Sequence, residues 1–187
     1  MPAEQNRRRY AGLTGLLLGV AVCVGFTALQ RAAAEAVLEY EVKAAFLLNF
    51  TKFTDWPTSA FANPDSPLTI CILGRDPFGR ALDDVLQGEE VDGHKLAVRR
   101  ISQNPEPQAC QVLFVGNGEK EVRKILGGLG RGVLTAGDGE GFIRDGGIIA
   151  FVLENRRVRF DINQSAAEAA GLKLSSQLLS VARSVQK

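Results

Sequence analysis

The sequence is poor in the residues that most enzymes use. It has one histidine, one tryptophan and one methionine, and its three cysteines form no C-x-x-C pair. With a single imidazole, zinc and copper sites lack their commonest ligand, so no metal and no other cofactor is expected. G-x-S-x-G, H-E-x-x-H and P-loop patterns are absent. Serine hydrolases, zinc peptidases and P-loop nucleotide hydrolases therefore have no motif to stand on. His94 sits in the polar segment 89–95 and reads as a solvated turn residue, not a base. There is no basic excess either: 22 Lys and Arg face 21 Asp and Glu. Nonspecific nucleic-acid binding has no electrostatic footing on such a chain. Repeats and low-complexity tracts are also missing. The expectation is a protein that is not an enzyme.

What is present begins with an export signal. Arg7, Arg8 and Arg9 form a basic start, residues 13–29 carry no charge, and Ala32-Ala33-Ala34 precedes Glu35. Basic, apolar and then small residues, in that order, are what a signal peptidase reads. Residues 1–34 are thus expected to be a cleavable signal peptide. An uncleaved anchor fits less well, because a spanning helix wants about 20 apolar residues and this run is short and rich in Gly and Ala. Cys23 follows Val22, where lipid attachment needs a small residue, so it is expected to leave with the leader. Cleavage removes Arg7, Arg8, Arg9, Arg31 and Glu4, and the totals fall from 22 and 21 to 18 and 20, near −2.

Residues 35–187 are expected to form one α/β domain. A helix over 38–54 is apolar on most of its circumference, which calls for burial in a core or an interface. Trp56-Pro57 ends it. Apolar runs at 68–74 and 112–116 read as strands covered on both faces. The run at 96–101 is more polar and suits a position nearer an edge. Helices are expected at 78–86 and 119–129, and a further strand at 132–136. Segment 137–142 reads as a flexible loop and 145–147 as a turn. Strands at 148–153 and 158–162 form a hairpin. Asn163 caps a helix over 164–170 that Gly171 stops, and a last helix covers 175–185. Strand–helix alternation predicts a parallel sheet with helices on both faces, in which the strands at 68–74 and 112–116 would be neighbours and would bring Cys71 near Cys110. The fold class is a three-layer α/β/α sandwich with a mostly parallel, mixed sheet and a C-terminal hairpin.

Cys71 and Cys110 survive cleavage. In an oxidising compartment the pair reads most simply as a disulfide, with two buried thiols as the alternative. Two surfaces are candidates for function. Thr135, Asp138, Phe142, Gly146 and Gly147 follow a strand, beyond which ligands bind in open α/β sheets, and could cradle a small polar ligand. Arg75 and Asn163 complete that set. A plain mobile loop explains the same composition. The hairpin residues Glu154, Arg156, Arg157, Arg159 and Asp161 form either a solvated turn or a docking surface for an acidic partner. Asp161 lies on the same strand face as Arg159 and could pair with it or equally contact another group.

The chain resembles the YfiR family of periplasmic regulators. The resemblance rests on 42–50 with Phe53 and Trp56-Pro57, on 70–79 and 110–115, and on Leu134-Thr135. It continues through Gly141-Phe142, 146–151, 159–163, Ala167 and 171–179. No single motif is diagnostic; their order and spacing are, over about 39–185. The resemblance implies an α/β/α sandwich, usually dimeric, in the periplasm. It implies binding to the periplasmic sensor domain of an inner-membrane diguanylate cyclase of the YfiN type, which it holds inactive. An outer-membrane lipoprotein of the OmpA-like type would sequester the repressor, raising cyclic di-GMP and biofilm formation. A Cys71–Cys110 bridge fits that pattern; the second cysteine pair of some members is absent here. A small-ligand sensor for a nucleotide or an aromatic amino acid is the other reading.

Overall fold

The computed structural model describes residues 35–187 except 105, 107 and 117, so the expected leader lies outside the described residues. The chain divides into two compact units, Met1–Leu38 and Glu39–Lys187. Of the first, only residues 35–38 are described; they are helical and exposed. The second unit carries the fold. Its elements are α1 (39–52), β1 (Thr54–Asp55), β2 (Leu68–Leu73), α2 (Arg80–Leu86), β3 (Glu90–Val91), β4 (His94–Ile101) and β5 (Val112–Val115). Then follow α3 (Val122–Gly127), β6 (Leu134–Asp138), α4 (Gly141–Arg144), β7 (Ile149–Glu154), β8 (Arg157–Asn163), α5 (Gln164–Ala169), β9 (Lys173–Leu174), α6 (Ser176–Val181) and β10 (Ser184–Gln186).

Eight strands form one sheet in the order β10-β8-β7-β6-β5-β2-β4-β3. The pairs β2–β4, β2–β5, β5–β6, β6–β7 and β8–β10 are parallel, while β3–β4 and β7–β8 are antiparallel. This is the expected α/β architecture with a mostly parallel, mixed sheet. Strand residues alternate between faces. Ile70, Ile72, Val112, Phe114, Leu134, Ala136, Ile149 and Phe151 enter one core with Ala44, Leu47 and Phe50 of α1, Leu82 and Leu86 of α2 and Leu178 of α6. Cys71, Leu73, Leu113, Val115 and Ala150 point the other way, to Phe142 and Ile143 of α4 and to Val122, Ile125 and Leu126 of α3. Helices on both faces make the three layers. As expected, β2 and β5 are neighbours, and Cys71 and Cys110 form a disulfide across them.

Several local expectations are corrected. The helix expected over 119–129 shrinks to Val122–Gly127, because Glu121 adopts a left-handed conformation (φ 61°) that starts it late. The last helix stops at Val181 instead of 185. Ala182 is extended, and Arg183 N–H donates to the Phe160 carbonyl at 2.8 Å, so the tail joins the sheet as β10. The flexible loop expected over 137–142 is largely ordered: β6 runs on to Asp138, and Gly141–Arg144 is a helix. His94 is not a solvated turn residue. It opens β4, stacks on Phe61 with ring centroids 3.9 Å apart, and its Nδ1 lies 2.7 Å from the Ser66 carbonyl.

Candidate functional site

The β7–β8 hairpin is built by its turn. Asn155 and Arg156 both have positive φ, 50° and 60°, the type I′ geometry that matches strand twist. Register then pairs Glu154 with Arg157, Leu153 with Val158, and Val152 with Arg159. Side chains alternate, so Leu153 and Val158 extend the Phe151–Phe160 pair on one face. Arg157 and Arg159 stand on the opposite face, and Glu154, Arg156, Arg157 and Arg159 are all exposed. Among the described residues none of these three arginines makes a salt bridge.

Asp161 behaves differently from the rest of the hairpin. It is buried, and its partner is Arg183, not Arg159. Arg183 Nε donates to Asp161 Oδ1 at 2.8 Å, and its Nη2 donates to Asp161 Oδ2 at 2.5 Å and to Glu140 Oε1 at 2.6 Å. These bonds, that to Asp161 first, hold the guanidinium above the ordinary arginine range. The fork ties β10 to β8 and to the β6–α4 connection. Sequence spacing leaves the partner of Asp161 open, because 184–185 reads there as helix and Arg183 is not placed beside β8.

The ligand candidates divide between the two ends of the sheet. Arg75 follows the carboxyl end of β2, and Asp138 is the carboxyl end of β6. Thr135, Gly146, Gly147 and Asn163 lie toward the amino ends, since α4 carries the chain back along the second face before β7 starts. Local structure uses most of these side chains. Thr135 Oγ1 accepts from Ile148 N–H at 3.0 Å, and Asn163 Oδ1 accepts from Ala166 N–H at 3.0 Å and caps α5. The Phe142 ring is wedged between Gly137 and Gly147, where any Cβ would strike it. Thr135 and Gly146 do share a cavity of about 260 Å³ with Arg131, Leu126, Leu129 and Ala166. The Arg75 backbone is packed against Gly116, whose hypothetical Cβ would stand 2.6 Å from the Arg75 carbonyl.

Asp138 belongs to a cluster that sequence reasoning missed. Lys43 of α1 is only 3% exposed. Its Nζ donates to Glu39 one turn earlier and to Asp138 Oδ1 at 2.6 Å, while Tyr40 Oη donates to Asp138 Oδ2 at 2.8 Å. The ammonium also lies 4.3 Å from the Tyr40 ring centroid. A buried charge survives when it is paired and hydrogen-bonded, and this one fastens α1 to the end of β6. The available signal was a lysine inside a helix that is otherwise apolar nearly all round. Gln111 was missed as well. Its side chain accepts from Thr69 N–H at 2.9 Å and donates to the Ala60 carbonyl at 2.6 Å, securing the chain beside the disulfide.

Among the described residues no group of three or more His, Cys, Asp or Glu is placed to hold a metal ion. Nor is any described helix long and apolar enough to cross a membrane. No curated protein matches the chain. The sequence profile of one family matches residues 40–183, almost the whole of the folded unit that carries the hairpin, the buried Lys43 cluster and the disulfide, and the chain belongs to that family, the YfiR/HmsC-like proteins.

Proposed function

We propose that this protein is a periplasmic repressor that binds the sensor domain of an inner-membrane diguanylate cyclase of the YfiN type and holds it inactive. The carrying observation is the family match over 40–183, since this family consists of periplasmic regulators in cyclic di-GMP signalling. Repression works by preference: a protein that binds the inactive conformation better shifts its partner toward that conformation. The basic tip of the β7–β8 hairpin supports a contact role, because Arg156, Arg157 and Arg159 are exposed and unpaired. Removal of the leader, a homodimer and sequestration by an OmpA-like lipoprotein belong to the same reading. The test is biochemical. The protein isolated from its periplasm should bind the cyclase's periplasmic domain and lower cyclic di-GMP output in membranes. Absence of both binding and inhibition overturns the proposal.

A small-ligand sensor has one observation in its favour, the cavity of about 260 Å³ that joins Thr135 and Gly146 to Arg131. Thermal shift against nucleotides and aromatic amino acids tests it. A concentration-dependent rise in Tm supports a ligand, and flat responses remove it.

A further inference from the structure

The two ends of the sheet are finished differently. At one end β10 is three residues long, Ser184–Gln186. At the other, β4 is eight residues long, and β3 covers only its start, with Glu90 opposite Lys95 and Val91 opposite His94. Backbone groups of a strand point alternately to its two sides. Two bonds fix the direction of each residue in β4. Leu96 N–H donates outward to the Glu89 carbonyl at 3.1 Å, and the Ile101 carbonyl accepts inward from Gly74 N–H at 3.0 Å. Val98 and Arg100, in phase with Leu96, therefore present their N–H and C=O groups to the edge. Among the described residues nothing bonds to these four groups, since β4 pairs only with β2 and with β3. The lane that β3 follows is open opposite 97–101.

We infer that this open edge takes up an extended segment of a partner protein, antiparallel like β3, with an acidic residue opposite Arg99 and an apolar one opposite Val98. The backbone decides the form. Donors and acceptors at strand spacing are matched by another extended chain, whereas a helix has none to spare. The side chains decide the chemistry. Val98 and Leu96 pack partly buried against the first-face core, and an apolar neighbour extends that cover. Arg99 is exposed on the second face and makes no salt bridge among the described residues. Opposite charges favour a cross-strand pair, and β3 already sets Glu90 opposite Lys95 in the same lane. A cavity of about 310 Å³ opens beside Arg99, to which Gln103, Asn104, Glu106, Ala109 and Cys110 contribute. It has room for the carboxylate that Arg99 lacks, with two amides as further donors against one acid. A second copy of the chain does not fit this edge. Its own β3 blocks 94–96, so two such edges related by a two-fold axis meet over 97–101. Pairing Val98 with Arg100 then sets Arg99 opposite its own copy, and slipping the register sets Arg100 opposite its own copy. Like charges directly opposite are destabilising.

No part of the repressor reading is needed for this edge to act, and the test uses no cyclase. The probes are three labelled eight-residue peptides. One alternates valine with glutamate, one alternates valine with lysine, and the third is the first with its valine nitrogens methylated, which blocks the donors that would face β4. Fluorescence anisotropy reads binding to the full protein, to Val98→Pro and to Arg99→Glu. Proline is tolerated where an edge-strand N–H faces outward, Arg99 is exposed, and circular dichroism checks that both variants fold. The valine–glutamate peptide should bind most tightly and should slow amide exchange at Val98 and Arg100. Val98→Pro and methylation should each weaken it about tenfold. Arg99→Glu should reverse the preference between the glutamate and lysine peptides. Should Val98→Pro not fold, the methylated peptide carries the same test. Equal binding of the methylated peptide, binding that ignores peptide charge, or failure of all three peptides to bind overturns the assignment. So does protection of the Val98 and Arg100 amides without peptide in a protein that sediments as a dimer, which would give the edge to a second copy.

Discussion

The two faces of the sheet are covered in different ways. On the first, α1, α2 and α6 pack over an aromatic core in which Phe50 touches Phe46, Phe151 and Phe160. On the second, the cover is α3, six residues long, and α4, four residues long, together with the Cys71–Cys110 bridge. Short helices bury little apolar surface, and a covalent link that limits the unfolded chain compensates for that. The long first-face helix does the reverse. It supplies more apolar surface than its own core covers, and Val42 stays exposed. One layer is held by covalent constraint, and the other has apolar surface to spare.

The comparison can be broken by mutation. Phe50→Ala should cost the most, about 3–5 kcal/mol, because a fully buried ring leaves a cavity; urea denaturation reads it. Ile143→Ala, in the thin cover, should cost less, and an equal or larger loss would remove the contrast between the layers. Replacing Cys71 and Cys110 together by alanine should cost about 2–4 kcal/mol, as expected for closing a loop of separation 39. A negligible loss would show that the second face needs no link. Lys43→Met should cost about 3 kcal/mol, the low end for a broken buried pair, since Glu39 reaches solvent. Adding Asp138→Asn should recover part of that loss in thermal melts.

The smallest effect lies at the edge of the first face. Arg100 reaches Asp83, Asp76 and the Gly79 carbonyl, tying β4 to the start of α2. The Arg100 hydrogen bond is the main reason why the Asp83 carboxyl sits below its ordinary 3.8. A depressed carboxylate stabilises the fold above its unfolded value, and that contribution is lost as pH falls through the lower folded value. Both side chains are well exposed, so the contribution is under about 1 kcal/mol and weakens with salt. Arg100→Gln should lower neutral stability by under about 1 kcal/mol and flatten the acid limb, the two stability–pH curves converging below pH 4.

Some of this was legible in the residues because it is local. Apolar runs marked β2 and β5, strand–helix alternation implied the layers, and their adjacency brought Cys71 near Cys110. The hairpin at 154–157 followed from two apolar runs around a polar turn. Asn163 as a helix cap needs only the next three residues. Tertiary structure decided what depends on distant partners. Segment 182–186 has no local bias strong enough to choose between helix and strand; the free edge of β8 makes the choice. Once β10 is in place, Arg183 takes Asp161 from the nearer Arg159. Lys43 could be assigned Asp138 only after α1 settled over the end of β6. The groove lined by Phe46 and Val181 likewise exists only where α1 and α6 meet, because a surface formed by two helices is written in neither one alone.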